Sequence, residues 1–182
     1  MRLLFALALA TVTAAPAAAA AAADYWSYRD WHTMVEVVDT GEDLRRSCTA
    51  YTGGDGMPTL RIEVSNGDAG PPYHYPVTRV RETAPRHYLT QMQPGQTVEF
   101  LFDDGGAAYG STSVWINREG LASAESRLDP SAHLPMLQMM KSGRWVEIRA
   151  DGVPLLTASL DGFTAAYGKM MDECGFSLAL PG

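Results

Sequence analysis

Ser159–Gly175, reading SLDGFTAAYGKMMDECG, decides how the chain closes and what the rest of it must cover. Leu160, Phe163, Ala166, Tyr167, Met170, Met171 and Cys174 recur at steps of three and four, the spacing that puts apolar side chains on one side of an α-helix. The stripe predicts a core-facing amphipathic helix that ends at Cys174 with its sulfur directed inward. Gly175 stands where helices commonly stop on a left-handed residue. Ser159 is expected to cap the helix, Gly162 to permit close backbone approach in its first turn, and Phe163 to anchor it in the core.

Upstream of this stretch the period changes from helical to strand. Trp145–Ala150 alternates Val146, Ile148 and Ala150 against Trp145, Glu147 and Arg149, and Asp151-Gly152 supplies a tight turn into a strand over Val153–Ala158. Pro135–Ser142 reads as a short helix with proline in its first turn and Gly143 at its end. Thr97–Phe102 and Ser111–Asn117 read as strands. Asp103-Asp104-Gly105-Gly106 between them is turn chemistry, since no third oxygen or nitrogen ligand follows at metal spacing. Thr59–Val64 is a half-buried strand, and Val77–Thr83 and Arg86–Met92 read as two more, broken at Pro85. Trp31–Val38 and Leu44–Tyr51 form a first hairpin, preceded by the aromatic-rich Asp24–Trp31. About eight short strands, two helices and no internal repeat predict a mainly β, β-sandwich-like single domain with a short helix and a C-terminal amphipathic helix.

The first residues carry a different message. Met1-Arg2, an apolar run from Leu3 to Val12 and alanines through Ala23 have the layout of a secretory signal peptide over residues 1–23, with cleavage expected before Asp24. The apolar run is too short to span a bilayer, so no integral membrane segment is expected after cleavage. Residues 24–182 are enough for one domain with its own core. The full chain has a formal charge of −7, and loss of Arg2 with the leader makes it −8. That balance excludes nucleic acid and anionic membrane as bulk partners. The only two cysteines, Cys48 and Cys174, lie 126 positions apart in a chain expected to be exported, which predicts one disulfide between them. A redox role would need a Cys-x-x-Cys pair or a neighbour that lowers a thiol pKa, and the sequence has neither.

Three kinds of site compete for the remaining chemistry. Methionines and His32, His74, His87 and His133 in an exported chain raise a copper-binding reading. Met136, Met139 and Met140, and Met170 and Met171, sit at helical steps that core packing explains, so no metal or other cofactor is expected. A periplasmic hydrolase would need a nucleophile set beside a base. The Gly-x-Ser-x-Gly elbow is absent, which leaves only a site assembled from scattered residues. The third kind is a binding surface: Arg79 and Arg81 share one face of a strand next to the Tyr73-His74-Tyr75 loop, with Arg86 and His87 beyond. Arginine and tyrosine together are typical of such surfaces.

From Leu134 onward the order is a short helix with Met-Met-Lys-x-Gly, a strand Trp-Val-Glu-Ile, a glycine turn, then Ser159, Leu160, Gly162, Phe163 and Ala166 closing on Cys174. This resembles the invasion-associated locus B family of exported bacterial proteins, as does Trp31 followed by Cys48. Val35 stands where some relatives carry a further cysteine. The resemblance implies a β-rich periplasmic or surface-associated protein of a family named for a role in host-cell entry, and it implies no catalytic residues. Binding of a protein partner or envelope component through strand faces and aromatic loops is the function expected of this chain.

Overall fold

Alternation of apolar and polar residues builds ten antiparallel strands into one sheet in the computed structural model, which describes residues 22–39 and 41–178. The expected leader lies outside the described residues except for Ala22 and Ala23. The strands are β1 Ala22–Tyr28, β2 Trp31–Asp39, β3 Leu44–Gly53, β4 Thr59–Ser65, β5 Val77–Thr83, β6 Thr97–Phe102, β7 Ala107–Ile116, β8 Ala122–Leu128, β9 Trp145–Ala150 and β10 Val153–Ser159. Two helices, α1 over His133–Ser142 and α2 over Phe163–Glu173, complete the mainly β single domain expected from the sequence. The sheet runs β1-β2-β3-β4-β5-β8-β7-β6-β9-β10. The first five strands form a meander. After β5 the chain skips outward and returns, so that β8 is the strand beside β5.

Two strands were not foreseen and one was misplaced. Asp24–Trp31 is not simply a lead-in: β1 pairs with β2 from Ala22↔Val37 to Tyr28↔Trp31. β8 reads ASAESRL, whose small and polar residues hide a strand with Ser123, Ala124, Glu125 and Ser126 all buried. Residues 86–92, expected as a strand, form a loop instead. Glu82 accepts hydrogen bonds from the backbone N–H groups of Gln91 at 2.7 Å and Met92 at 3.1 Å, which takes those donors away from any ladder.

One face of the sheet is apolar and curls around a core that includes Trp31, Leu60, Ile62, Val80, Val98, Phe100 and Ile148. The two ends of the sheet come back toward each other. Leu156 of β10 lies against Gly53 of β3, and the Trp31 indole N–H donates to the Ser159 carbonyl at 2.9 Å. α2 fills the remaining gap over β2 and β3, where the Thr33 hydroxyl donates to the Ala166 carbonyl at 3.0 Å.

All seven stripe residues of the closing stretch are buried, from Leu160 to Cys174. Trp31, Phe163 and Tyr167 form a run of ring contacts, with centroids 5.0 and 5.8 Å apart. The expected Ser159 cap is corrected: its hydroxyl accepts from the Asp161 N–H at 3.2 Å, in a turn ahead of the helix, while Gly162 at φ 96° is the N-cap with no side-chain bond. The C-terminus behaves as expected. Gly175 is left-handed at φ 76°, its N–H donates to Asp172 at 3.0 Å, and the Phe176 N–H donates to Met171 at 2.9 Å. These paired bonds satisfy the last carbonyls of α2. The Cys48–Cys174 disulfide, with Cα atoms 6.1 Å apart, fastens the end of α2 to β3.

Candidate functional site: a cleft over Arg81

β4, β5 and β8 carry charged residues on the face of the sheet opposite the core. Along β5, Thr78, Val80 and Glu82 are buried while Val77, Arg79 and Arg81 are half-buried on the other side. Register puts Arg61 opposite Arg79, Thr59 opposite Arg81, and Arg81 opposite Glu125. Like charges facing across strands need carboxylates between them. Glu63 lies 3.2 Å from Arg61 and 3.6 Å from Arg79, and Glu125 lies 2.9 Å from Arg79 and 3.3 Å from Arg127. Two carboxylates are thus shared among three guanidinium groups.

Arg81 is the cation left over. Among the described residues it has no ion pair, and its guanidinium lies 5.6 Å from the centroid of the Trp115 ring. Stacking on an aromatic face holds a guanidinium in place without neutralising it. The pairing of β5 with β8, and of β8 with β7, brings these residues together.

Arg81 and Arg61 line a cleft of about 600 Å³ at the end of the sheet where the β3–β4 turn, the loop after β5 and the β7–β8 turn converge. Its lining includes Met57 of the β3–β4 turn and Tyr88 and Leu89 of the loop after β5, with Tyr88 70% and Leu89 81% exposed. That loop is pinned. Besides the two N–H bonds to Glu82, the Ala84 N–H donates to Ala122 at 2.9 Å and the Tyr88 N–H to Pro85 at 3.0 Å. Apolar side chains held in water by a fixed loop are a common mark of a binding site.

The residues expected to bind a partner do not form one patch. Tyr73 is 84% exposed and His74 is exposed, on a loop ahead of β5, while Tyr75 turns in against the core. His74 and Tyr75 line their own hollow of about 310 Å³. Arg79 is occupied by its two carboxylates. Arg81 lies further along β5, which begins at Val77, and lines the separate cleft at its far end. Arg86 and His87 are exposed on the cleft's loop, with His87 at φ 72°. The Arg79 and Arg81 stripe was visible in the strand period. Trp115, Met57 and Leu89 were not, because no local pattern joins them to Arg81.

Elsewhere, His133, His32 and Asp103 have other contacts. The Nδ1 of His133 accepts from the Thr78 N–H at 3.3 Å, and burial, aided by Arg79, holds its pKa below the ordinary histidine value. His32 stacks on Tyr25 and touches Tyr51, with centroids 5.4 Å away in both cases. Asp103, expected only as a turn residue, also accepts from the Arg144 backbone N–H at 2.9 Å and side chain at 2.7 Å, which hold its carboxyl below the usual range. Met136, Met140, Met170 and Met171 are buried in the core. Among the described residues no group of three His, Cys, Asp or Glu side chains could hold a metal ion, and no helix is long and apolar enough to cross a membrane.

The fold and disulfide define a mainly β domain of a kind compatible with an oxidising compartment. No protein-family model, curated protein or solved structure matches the chain.

Proposed function

We propose that the chain is an exported, non-enzymatic periplasmic protein of the invasion-associated locus B type, and that it holds a protein partner or envelope component at the cleft over Arg81. The leader-like residues 1–23, the disulfide and the Ser159–Cys174 stretch support the export and family parts of this reading. The observation that carries the binding part is Arg81 itself, a cation without a carboxylate on the floor of a cleft whose wall presents Tyr88 and Leu89 to water. Binding sites combine an apolar lining with a few fixed polar groups in this manner.

Affinity capture with cross-linking from intact envelope tests the reading. The wild type, Arg81→Ala, Leu89→Ser and a variant with the Tyr73-His74-Tyr75 loop replaced are compared. A specific captured component that is lost with Arg81→Ala and Leu89→Ser but kept by the loop variant is expected. Capture indifferent to Arg81 and Leu89 overturns the assignment of the cleft.

A further inference from the structure

We infer that the cleft accepts an amphiphilic monocarboxylate, with its carboxylate on Arg81 and an alkyl or aryl tail against Met57, Tyr88 and Leu89. The inference rests on the binding reading above and names the chemistry of the ligand.

The charge argument comes first. Arg61 and Arg79 face Glu63, and Arg79 and Arg127 face Glu125, so the cation without an ion pair in this cluster is Arg81. One free guanidinium balances one negative charge, and its planar fork matches the two oxygens of a carboxylate. Glu82 also lines the cleft, but its oxygens accept from Gln91 and Met92, which draws its charge toward the loop backbone. Ser123 also lines the cleft, but its hydroxyl is buried and bonded to that of Thr83 at 3.1 Å, which leaves the head-group contact to Arg81.

The apolar argument is independent. Met57 on the β3–β4 turn is 52% exposed, and with Tyr88 and Leu89, on a loop whose backbone Glu82 fixes, it leaves a sizeable apolar surface in water. A tail that covers these side chains gains by the hydrophobic effect, and the fixed loop lowers the ordering cost of binding. A volume of about 600 Å³ lies in the ordinary range for small-molecule sites. A head without a tail leaves this wall wet, and a tail without a head leaves Arg81 unbalanced.

Calorimetric titration of the oxidised protein with decanoate tests both halves, with decanol, acetate and inorganic phosphate as parallel arms. Saturable one-to-one binding of decanoate is expected. Decanol, acetate and phosphate should each bind at least about tenfold more weakly, as should decanoate to Arg81→Gln, since loss of a charge-assisted contact of about 1.5 kcal/mol or more is a factor of ten. Arg81→Lys, which keeps the charge and loses the fork, should fall between, and Leu89→Ser should weaken decanoate several-fold. Thermal melts establish that each variant is folded. Equal binding of decanol and decanoate, or unchanged binding in a folded Arg81→Gln, overturns the inference. If decanoate fails to bind while envelope capture still depends on Arg81, the carboxylate is wrong and the binding reading stands. If capture is indifferent to Arg81 as well, both fall.

Discussion

Gly162 sits so close to Tyr28 that a Cβ built on it would lie 1.9 Å from the Tyr28 carbonyl oxygen. The turn after β1 is thereby pressed onto the entry to α2. The Asp30 N–H to Asp161 carbonyl bond at 3.4 Å and the Arg29–Asp161 ion pair at 2.7 Å add to the same junction. Only glycine meets both the contact and the φ of 96°.

Gly162→Ala should therefore destabilise the protein by about 2 kcal/mol or more, through left-handed strain and displacement of the Tyr28 carbonyl. For a domain of this size that is a fall in melting temperature of roughly 4 °C or more. A melt within a degree of wild type would show that the junction yields freely.

Breaking the Cys48–Cys174 link should cost more. The chain-entropy model gives about 4 to 5 kcal/mol for so long a loop, less any relief of native strain. Cys174→Ser should accordingly melt several degrees below the oxidised wild type and near the reduced wild type. Equal melting temperatures for oxidised and reduced protein would refute it.

The Tyr167 hydroxyl is buried without a hydrogen-bond partner among the described residues, and burial, followed by the nearby Tyr75, pushes its pKa up to about 12. Removing an unsatisfied buried hydroxyl relieves a desolvation penalty, so Tyr167→Phe should be stabilising by about 1 kcal/mol in urea melts at neutral pH. The raised pKa adds a second sign. Stability is fully present below the unfolded value near 10 and falls as pH rises toward about 12, because the unfolded chain loses the proton first. Tyr167→Phe should flatten that alkaline decline. A destabilised variant with an unchanged alkaline limb would mean the hydroxyl is bonded after all.

His133 works in the opposite direction. Its pKa is depressed, so its contribution is present above the unfolded value of about 6.5 and is lost as pH falls through the lower folded value. Arg79 faces it and opposes its charging, while Asp129 favours it. His133→Gln keeps an acceptor near the Thr78 N–H and should lose less stability than wild type between pH 7 and pH 5. Parallel stability curves for the two proteins would remove His133 as the source.

Much of this fold can be read from local pattern because its strands alternate and α2 shows its stripe. β4, with Leu60, Ile62 and Val64 buried between Arg61 and Glu63, is of this kind. β8 escaped because Ser123, Glu125 and Ser126 are buried through hydrogen bonds and ion pairs instead of apolar contact, as in the Val80 N–H bond to the Ser126 hydroxyl at 2.8 Å. The loop over 86–92 escaped for the converse reason: its Tyr88 and Leu89 have strand composition, yet Glu82 holds the backbone. The candidate site was only half legible. Arg79 and Arg81 share a strand, whereas Arg81 meets Trp115 solely because β8 inserts beside β5, a non-local choice that no short window of sequence contains.

That insertion also leaves the sheet unevenly paired along its width. β5 and β8 share three residue pairs, Arg81↔Glu125, Glu82↔Ala124 and Thr83↔Ser123, where β2 and β3 share eight. The meander β1–β5 and the remaining strands are thus two leaves of one sheet that meet along a short seam, and the cleft opens over that seam. On the far side, α2 grows from the second leaf and is fastened to the first by Cys48–Cys174. The disulfide is a hasp on this arrangement, a covalent tie between the two leaves in addition to the short β5–β8 seam.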